Sequence, residues 1–248
     1  MPDRRKHRGP HPEDARLFAP DFHSRLSLAV DDLCWLLSRG YAHDSSLKIV
    51  GDRYGLVARQ RVAAARCSCA AAEAQRRRSH EVHAQALHNQ PLILDGYNVL
   101  TTIEAALSGG AIFAARDGAY RDMASMHGTY RKVAETLPAL QLLGDELARL
   151  NVAECLLYLD RPVSNSGRLK SLIENLAARE NWPWRVELVM NPDAPLAQTS
   201  EIVATADSVI LDRCRAWYNL ARAIIDRQVP QAWIIDLSNQ PPLQESPL

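Results

Sequence analysis

The chain has 248 residues, is 47% hydrophobic and 23% charged, and balances 29 Lys/Arg against 29 Asp/Glu. That length and mixture predict a folded protein of one large or two ordinary domains and exclude a disordered chain. No apolar run approaches the roughly 18–20 residues that span a bilayer, and the basic opening MPDRRKHRGPHPED lacks the apolar stretch of a secretory signal, so a cytoplasmic location is expected.

The neutral total hides an asymmetry. Residues 1–88 carry 15 Lys/Arg against 10 Asp/Glu, and the remaining 160 carry 14 against 19. A basic module joined to an acidic one suits a nucleic-acid grip beside a cation site; two ordinary charged surfaces would give the same numbers. The five cysteines are scattered, with only Cys67 and Cys69 close together. A C-x-C pair with no second pair makes a poor zinc site, so buried or half-buried free thiols are expected.

In chain order, residues 1–20 read as a polar, proline-bearing arm. Leu26, Leu28, Val30, Leu33, Trp35, Leu36 and Leu37 then recur at largely helical spacing before Gly40. The stretch from Leu56 is Ala- and Arg-rich and also reads as helix, so residues 1–88 are predicted to be an all-helical basic domain. Arg59 and Arg66, seven apart, share a helix face. With Arg53 and the stackable ring of Tyr54 they form a candidate RNA footprint, although spaced arginines also decorate any solvated helix. Arg76, Arg77 and Arg78 read as a flexible linker, and His80, His83 and His88 as boundary residues.

From about residue 89 the texture changes to alternating strands and helices. PLILDGYNVL (91–100) is a candidate strand that stops on Asp95. A helical stretch is predicted over roughly 114–150, broken at Pro138. AECLLYLD (153–160) is a second strand ending on Asp160, a helix covers about 171–178, and WRVELVM (184–190) is a third strand. The segment 202–209 leads into a helix of uncertain extent, and AWIIDLS (232–238) is the last strand, with Asp236 near its end. Such alternation predicts a parallel sheet sandwiched by helices, in which ligands bind beyond the carboxyl ends of the strands. Asp95, Asp160 and Asp236 fall at or near those ends.

Asp207 and Asp212 flank the apolar stretch of ATADSVILDR. Five residues apart, they point different ways on a helix. Asp207 is the better candidate for the site, and Asp212 could support it or pair with Arg213 or Arg215. Carboxylates gathered on one rim need a cation to stay ionised. Hard oxygen ligands suit Mg²⁺ or Mn²⁺, which can activate a water for displacement at phosphorus. Taken singly, an aspartate more often caps a helix or lies in a solvated loop than binds a metal; for several together at strand ends the order reverses.

These residues resemble a known family. LILDGYNVL is similar to the opening strand and Asp-Gly-Tyr-Asn motif of NYN-type PIN-like nucleases. ARDGAYRDMASMHGTYR (115–131) is similar to the helix after that strand, YLDRPVSNSG (158–167) to the second strand and its loop, TADSVILDR (205–213) to the Thr-Ala-Asp segment, and WIIDLS (233–238) to the last strand. The likeness covers most of residues 91–238. It implies a PIN-like domain over 89–248 and a metal-dependent endoribonuclease, with the ribosome a further candidate partner. Asp95, Asp160 and Asp207 would hold Mg²⁺ or Mn²⁺, Asn98 would support the first carboxylate or the bound water, and Asp212 and Asp236 would complete the acidic pocket. The last strand departs from the family's usual Thr/Ser-Asp order, which leaves Asp236 the least secure member. A non-catalytic RNA-binding protein with the same fold is the alternative. GYAHDSSLKIVGDRYGLVARQRVAAARCSC (40–69) resembles a helical domain of unknown function attached to such a domain in an uncharacterised prokaryotic family. A haloacid-dehalogenase-type start would need a nucleophilic aspartate two residues before Asp95, where Ile93 stands.

Overall fold

The computed structural model describes residues 6–123, 128 and 130–238. Five helices come first: α1 (Asp14–Leu17), α2 (Pro20–Ser38), α3 (His43–Arg53), α4 (Ala58–Cys67) and α5 (Ala71–His80). Pro20 opens α2, where its missing N–H costs nothing. The helix buries Leu26, Ala29, Val30 and Leu33, an i, i+3, i+4, i+7 stripe, and leaves Leu28 and Trp35 exposed on the far side. The opening twenty residues are more than a polar arm: Leu17 and Phe18 are buried, and Arg8 reaches the buried Glu104. The Arg76–Arg78 run lies inside α5, with Arg77 buried, and is therefore helix rather than flexible linker.

A 3₁₀ turn (Ala84–Leu87) leads into β1 (Pro91–Asp95), followed by α6 (Gly96–Leu107), β2 (Ala111–Ala114), β3 (Tyr120–Asp122) and α7 (Thr136–Arg149). Next come β4 (Glu154–Asp160), α8 (Ser166–Glu180), β5 (Trp184–Val189), α9 (Asp193–Gln198), β6 (Ile202–Ala204), α10 (Ser208–Leu211), α11 (Leu220–Gln228) and β7 (Trp233–Asp236). Two sequence expectations do not hold. The strand opening PLILDGYNVL ends at Asp95, so the helix after it is Gly96–Leu107 and not 115–131. The stretch predicted as one helix from 114 holds the end of β2, a turn and β3 before α7 begins, and Pro138 sits in the first turn of α7, where proline is tolerated. Part of that stretch, residues 124–127 and 129, lies outside the described residues.

Four strands form a parallel sheet in the order β5-β4-β1-β6, flanked by helices. Leu92, Ile93 and Leu94 of β1 are all buried, the continuous apolar run expected of a central parallel strand. On one face Leu92 and Leu94 join Leu100, Ile103, Leu140, Leu143, Ile173 and Ile224 from α6, α7, α8 and α11. On the other, Ile93 and Val203 pack with Ile210, Leu211 and Trp217.

The remaining strands make a separate three-stranded sheet, β3-β2-β7, with β2 parallel to β7 and antiparallel to β3. Phe113, Ala115, Ile235 and Leu237 from this region share a core with Phe18, Leu26, Val30, Leu33 and Ala64 of the helical region. Asp236 consequently belongs to the smaller sheet. It is exposed and accepts hydrogen bonds from the backbone N–H and hydroxyl of Ser238. The expectation that it completes the acidic rim is overturned because its strand pairs with β2 rather than with β1 or β6. No helix among the described residues is long and apolar enough to cross a membrane.

Candidate functional site

β1 is central, with β4 on one side and β6 on the other, so the chain's path reverses direction across the sheet at the β1/β6 boundary. Crevices open at such switch points, beyond the carboxyl ends of the strands. Asp95 closes β1 at this point, Asp160 closes β4, and Asp207 lies three residues past β6. The chain between Asp95 and the helix after it is tightly constrained. A Cβ on Gly96 would come within 2.7 Å of Leu159 Cδ2 and 2.8 Å of the Tyr158 carbonyl oxygen, so glycine serves close packing of α6 on β4 there.

Asp95 caps α6, its Oδ1 lying 3.5 Å from the Asn98 N–H, and its Oδ2 accepts a 2.9 Å hydrogen bond from Thr205 Oγ1. Asp207 caps α10: its Oδ1 accepts from the Val209 and Ile210 N–H groups at 2.7 and 3.4 Å. The Asn98 side chain accepts from the Ala206 N–H at 2.8 Å. Asn98 therefore reaches Asp95 through its backbone, while its side chain holds the Asp207 segment.

Burial pushes the Asp95 carboxyl up to about 7, with the Asp207 and Asp160 charges adding to the rise and the Thr205 and Asn98 donors opposing it. Burial also raises Asp160, against its own backbone hydrogen bond and with Asp193 as a second repulsive charge. Asp193 is raised by burial and by Asp207. The four acids thus feel one another. Asp193, at the start of α9 just past β5, is a member that sequence reasoning missed.

Among the described residues seven Asp or Glu side chains are buried: Asp14, Asp95, Glu104, Asp117, Asp122, Glu135 and Glu146. Six have a basic partner: Arg59, Arg8, Arg77 with Arg121, Arg66, His7, and Arg149 with Arg227, respectively. Asp95 has none among the described residues. A buried carboxylate without a counter-charge is costly unless it is protonated or meets a cation.

The donor chemistry fits a hard cation, since all four groups are carboxylates. The described residues hold no group of three or more His, Cys, Asp or Glu side chains arranged to grip a metal ion. A Mg²⁺ ion commonly takes only one or two carboxylates and fills its other positions with water and substrate phosphate oxygens.

The other predicted residues are committed elsewhere. Asp212 meets the guanidinium of Arg77 at 2.8 Å through both oxygens and lies 3.4 Å from Arg76, rather than pairing with Arg213 or Arg215. Arg59 pairs with the buried Asp14, and Arg66 donates to the Asp122 carbonyl. Tyr54 donates its hydroxyl to Asp32 at 2.8 Å, and Arg53 lies beside the same Asp32 at 3.5 Å but is largely exposed. Of the proposed RNA footprint, Arg53 is the side chain most open to solvent. The cysteines are free thiols, Cys34 half-buried and the others buried, as their pattern predicts; burial pushes Cys67 and Cys69 up to about 12.

Residues 84–223 match the family model described as Domain of unknown function (DUF5616), and residues 25–80 match one described as Protein of unknown function (DUF434). The chain is similar to the uncharacterized protein MJ0935 of Methanocaldococcus jannaschii, 31% identical over 186 residues that cover 75% of this chain and 88% of that one. No solved structure matches. With more than half its length matched by the first of these models, the chain belongs to the DUF5616 family.

Proposed function

We propose that the chain is a metal-dependent endoribonuclease whose site lies at the β1/β6 switch point, with Asp95, Asp160 and Asp207 holding Mg²⁺ or Mn²⁺. The observation that carries this reading is Asp95, a buried acid without a basic partner among the described residues, coupled to three further acids. A cation relieves that repulsion and lets all of them ionise together. The likeness of the Asp-Gly-Tyr-Asn and Thr-Ala-Asp segments to NYN-type PIN-like nucleases supports the PIN-like assignment and RNA as the substrate. Arg161, directly after Asp160, is exposed with no carboxylate partner among the described residues, which suits contact with a polyanionic backbone.

When bound, the cation would supply an activated water and neutralise charge on the phosphodiester. The chain's own residues set the stage. Thr205 fixes the Oδ2 face of Asp95, and the caps on Asp207 occupy Oδ1, leaving its Oδ2 without a protein donor among the described residues. Asn98 ties the two acidic segments together through Ala206. At neutral pH Asp95 is poised between its protonated and ionised forms and can surrender its proton as the cation arrives.

The test is cleavage of end-labelled single-stranded RNA in Mn²⁺ by the wild type and by Asp95→Asn, with RNA binding measured alongside. Loss of cleavage with binding retained supports the enzyme. RNA binding by the wild type with no metal-dependent cleavage of any RNA favours the non-catalytic RNA-binding reading instead.

A further inference from the structure

The geometry points to Arg77 as a positioning residue through which the N-terminal helical region holds the Asp207 segment in place; this rests on the reading of Asp207 as part of the site. Arg77 sits on α5, outside the strand-and-helix region that carries the acids, and its guanidinium is 3% exposed. It meets Asp212 through Nε and Nη2 at 2.8 Å each, and Asp117 through Nη1 at 2.8 Å. Asp117 in turn accepts two hydrogen bonds from Arg121, at 2.8 and 2.7 Å. Arg121 Nε donates to the Ala206 carbonyl at 2.9 Å. The two arginines therefore grip residues 206–212 from both ends.

The peptide groups leading into Asp207 are fully held by side chains. The Ala206 N–H goes to Asn98, the Ala206 carbonyl accepts from Arg121, and the Asp207 N–H donates to Thr205 Oγ1, which itself donates to Asp95. The contacts of this segment that depend on the α5 side are those of Arg121, of Asp212, and of Ser208 Oγ, which lies 3.3 Å from Arg77 Nη1 and 3.4 Å from Arg121 Nη2. The same helix is also stitched to the chain just beyond this segment, since Trp217 Nε1 donates to the Arg77 carbonyl at 2.6 Å and the Trp217 N–H to the His80 carbonyl at 3.0 Å.

Burial alone would raise Asp117, but Arg121 and Arg77 outweigh it and hold its carboxyl well below the usual range, so the network stays charged. A buried charged network adds little net stability over apolar packing of the same shape. What it does supply is a fixed direction: Arg77 forks onto Asp212, and Arg121, itself held in a fork by Asp117, reaches the Ala206 carbonyl, an arrangement that a lysine's single ammonium at position 77 cannot reproduce. Helix α10 is only four residues long, and such a short helix relies on outside contacts to hold its capping aspartate.

The experiment uses full-length Arg77→Lys, which keeps the charge and loses the fork, with Asp212→Asn as a milder variant on the half-exposed arm. Hydrogen exchange by mass spectrometry reads peptides across 203–212, and a Mn²⁺ titration followed by electron paramagnetic resonance reads the site. Expected is a folded Arg77→Lys protein with unchanged exchange at 91–95 and 154–160. Exchange across 206–212 should be at least about tenfold faster, and Mn²⁺ affinity weaker by roughly tenfold or more. Should Arg77→Lys fail to fold, Asp212→Asn carries the same readouts. Wild-type protection across 206–212 in the folded variants would overturn the proposal. The two readings separate cleanly. Fast 206–212 exchange in the variants of a protein that binds no Mn²⁺ keeps the clamp and sinks the nuclease, whereas unchanged exchange and Mn²⁺ affinity in the variants of an active nuclease does the reverse.

Discussion

Asp95→Asn should make the metal-free protein more stable at alkaline pH. The carboxyl is 8% exposed, and burial is the main cause of its rise from 3.8 to about 7. Between those two values the native state keeps a proton that the unfolded chain has lost. Native stability therefore falls as pH rises through that window and stays low above it. At about 1.4 kcal/mol for each tenfold change in proton affinity, the whole window is worth at most about 4 kcal/mol. Asparagine is close in shape and carries no charge, but it weakens the charge-assisted bond from Thr205, a loss of about 1–2 kcal/mol. The net gain at pH 8 is then about 2 kcal/mol, or a rise in Tm of roughly 4–8 °C for a chain of this size. By pH 5 the difference should nearly vanish. Differential scanning calorimetry in EDTA at the two pH values measures it. Adding Mn²⁺ at about 100 times its Kd should then lift only the wild type, by about 2.7 kcal/mol. A variant that melts at or below the wild type at both pH values in EDTA would refute the reasoning, because Asp95 would then be well satisfied as an anion.

Other consequences follow from the same contacts. Gly96→Ala should cost about 1–3 kcal/mol in urea unfolding, because the added Cβ meets the Tyr158 carbonyl and Leu159 at under 3 Å. An unchanged midpoint would mean that α6 can move off β4 freely. Arg8→Ala should cost about 2–3 kcal/mol in the same assay, since it takes the basic partner from the fully buried Glu104 and leaves it the Tyr130 and Thr136 hydroxyl donors. A wild-type midpoint would show that the N-terminal segment carries no stability. Mn²⁺ affinity should climb by up to about tenfold per pH unit below pH 7 and level off above it, because Asp95 must lose its proton to bind. An affinity flat from pH 5.5 to 8 would remove Asp95 from the binding step.

The part of the candidate site legible in the sequence is the part encoded locally. Asp95 and Asp160 each end an apolar run, and parallel strands carry their ligands at that end, so two acids could be placed from pattern alone. Asp207 was legible because a small Thr-Ala lead-in before an apolar turn is a helix start. Asp193 was not, because it sits in a loop-like Asn-Pro-Asp stretch whose approach to the rim depends on where β5 lies beside β4. Asp236 shows the opposite failure: its strand reads like the others, but the choice of partner strand is a long-range matter, and it pairs with β2. The arginines failed for the same reason. Arg59 and Arg66 look like a solvated basic face, and Arg77 like part of a linker, until Asp14, Asp122, Asp117 and Asp212 arrive from 40 to 135 residues away. The parallel sheet and the helical N-terminal region were readable from periodicity. The second small sheet was not, because strands of three and four residues such as Tyr120–Asp122 and Ala111–Ala114 are too short to show a period.

The central claim is that the rim at the β1/β6 switch point holds a divalent cation. Crystals soaked in about 10 mM MnCl₂ at pH 8, with data collected at a wavelength where manganese scatters anomalously, test it most directly. Expected is an anomalous peak within about 2.0–2.4 Å of a carboxylate oxygen of Asp95 and of Asp160 or Asp207, absent in Asp95→Asn crystals soaked the same way. A wild-type map with no peak at that rim, or with the metal bound only at unrelated surface carboxylates, would contradict it.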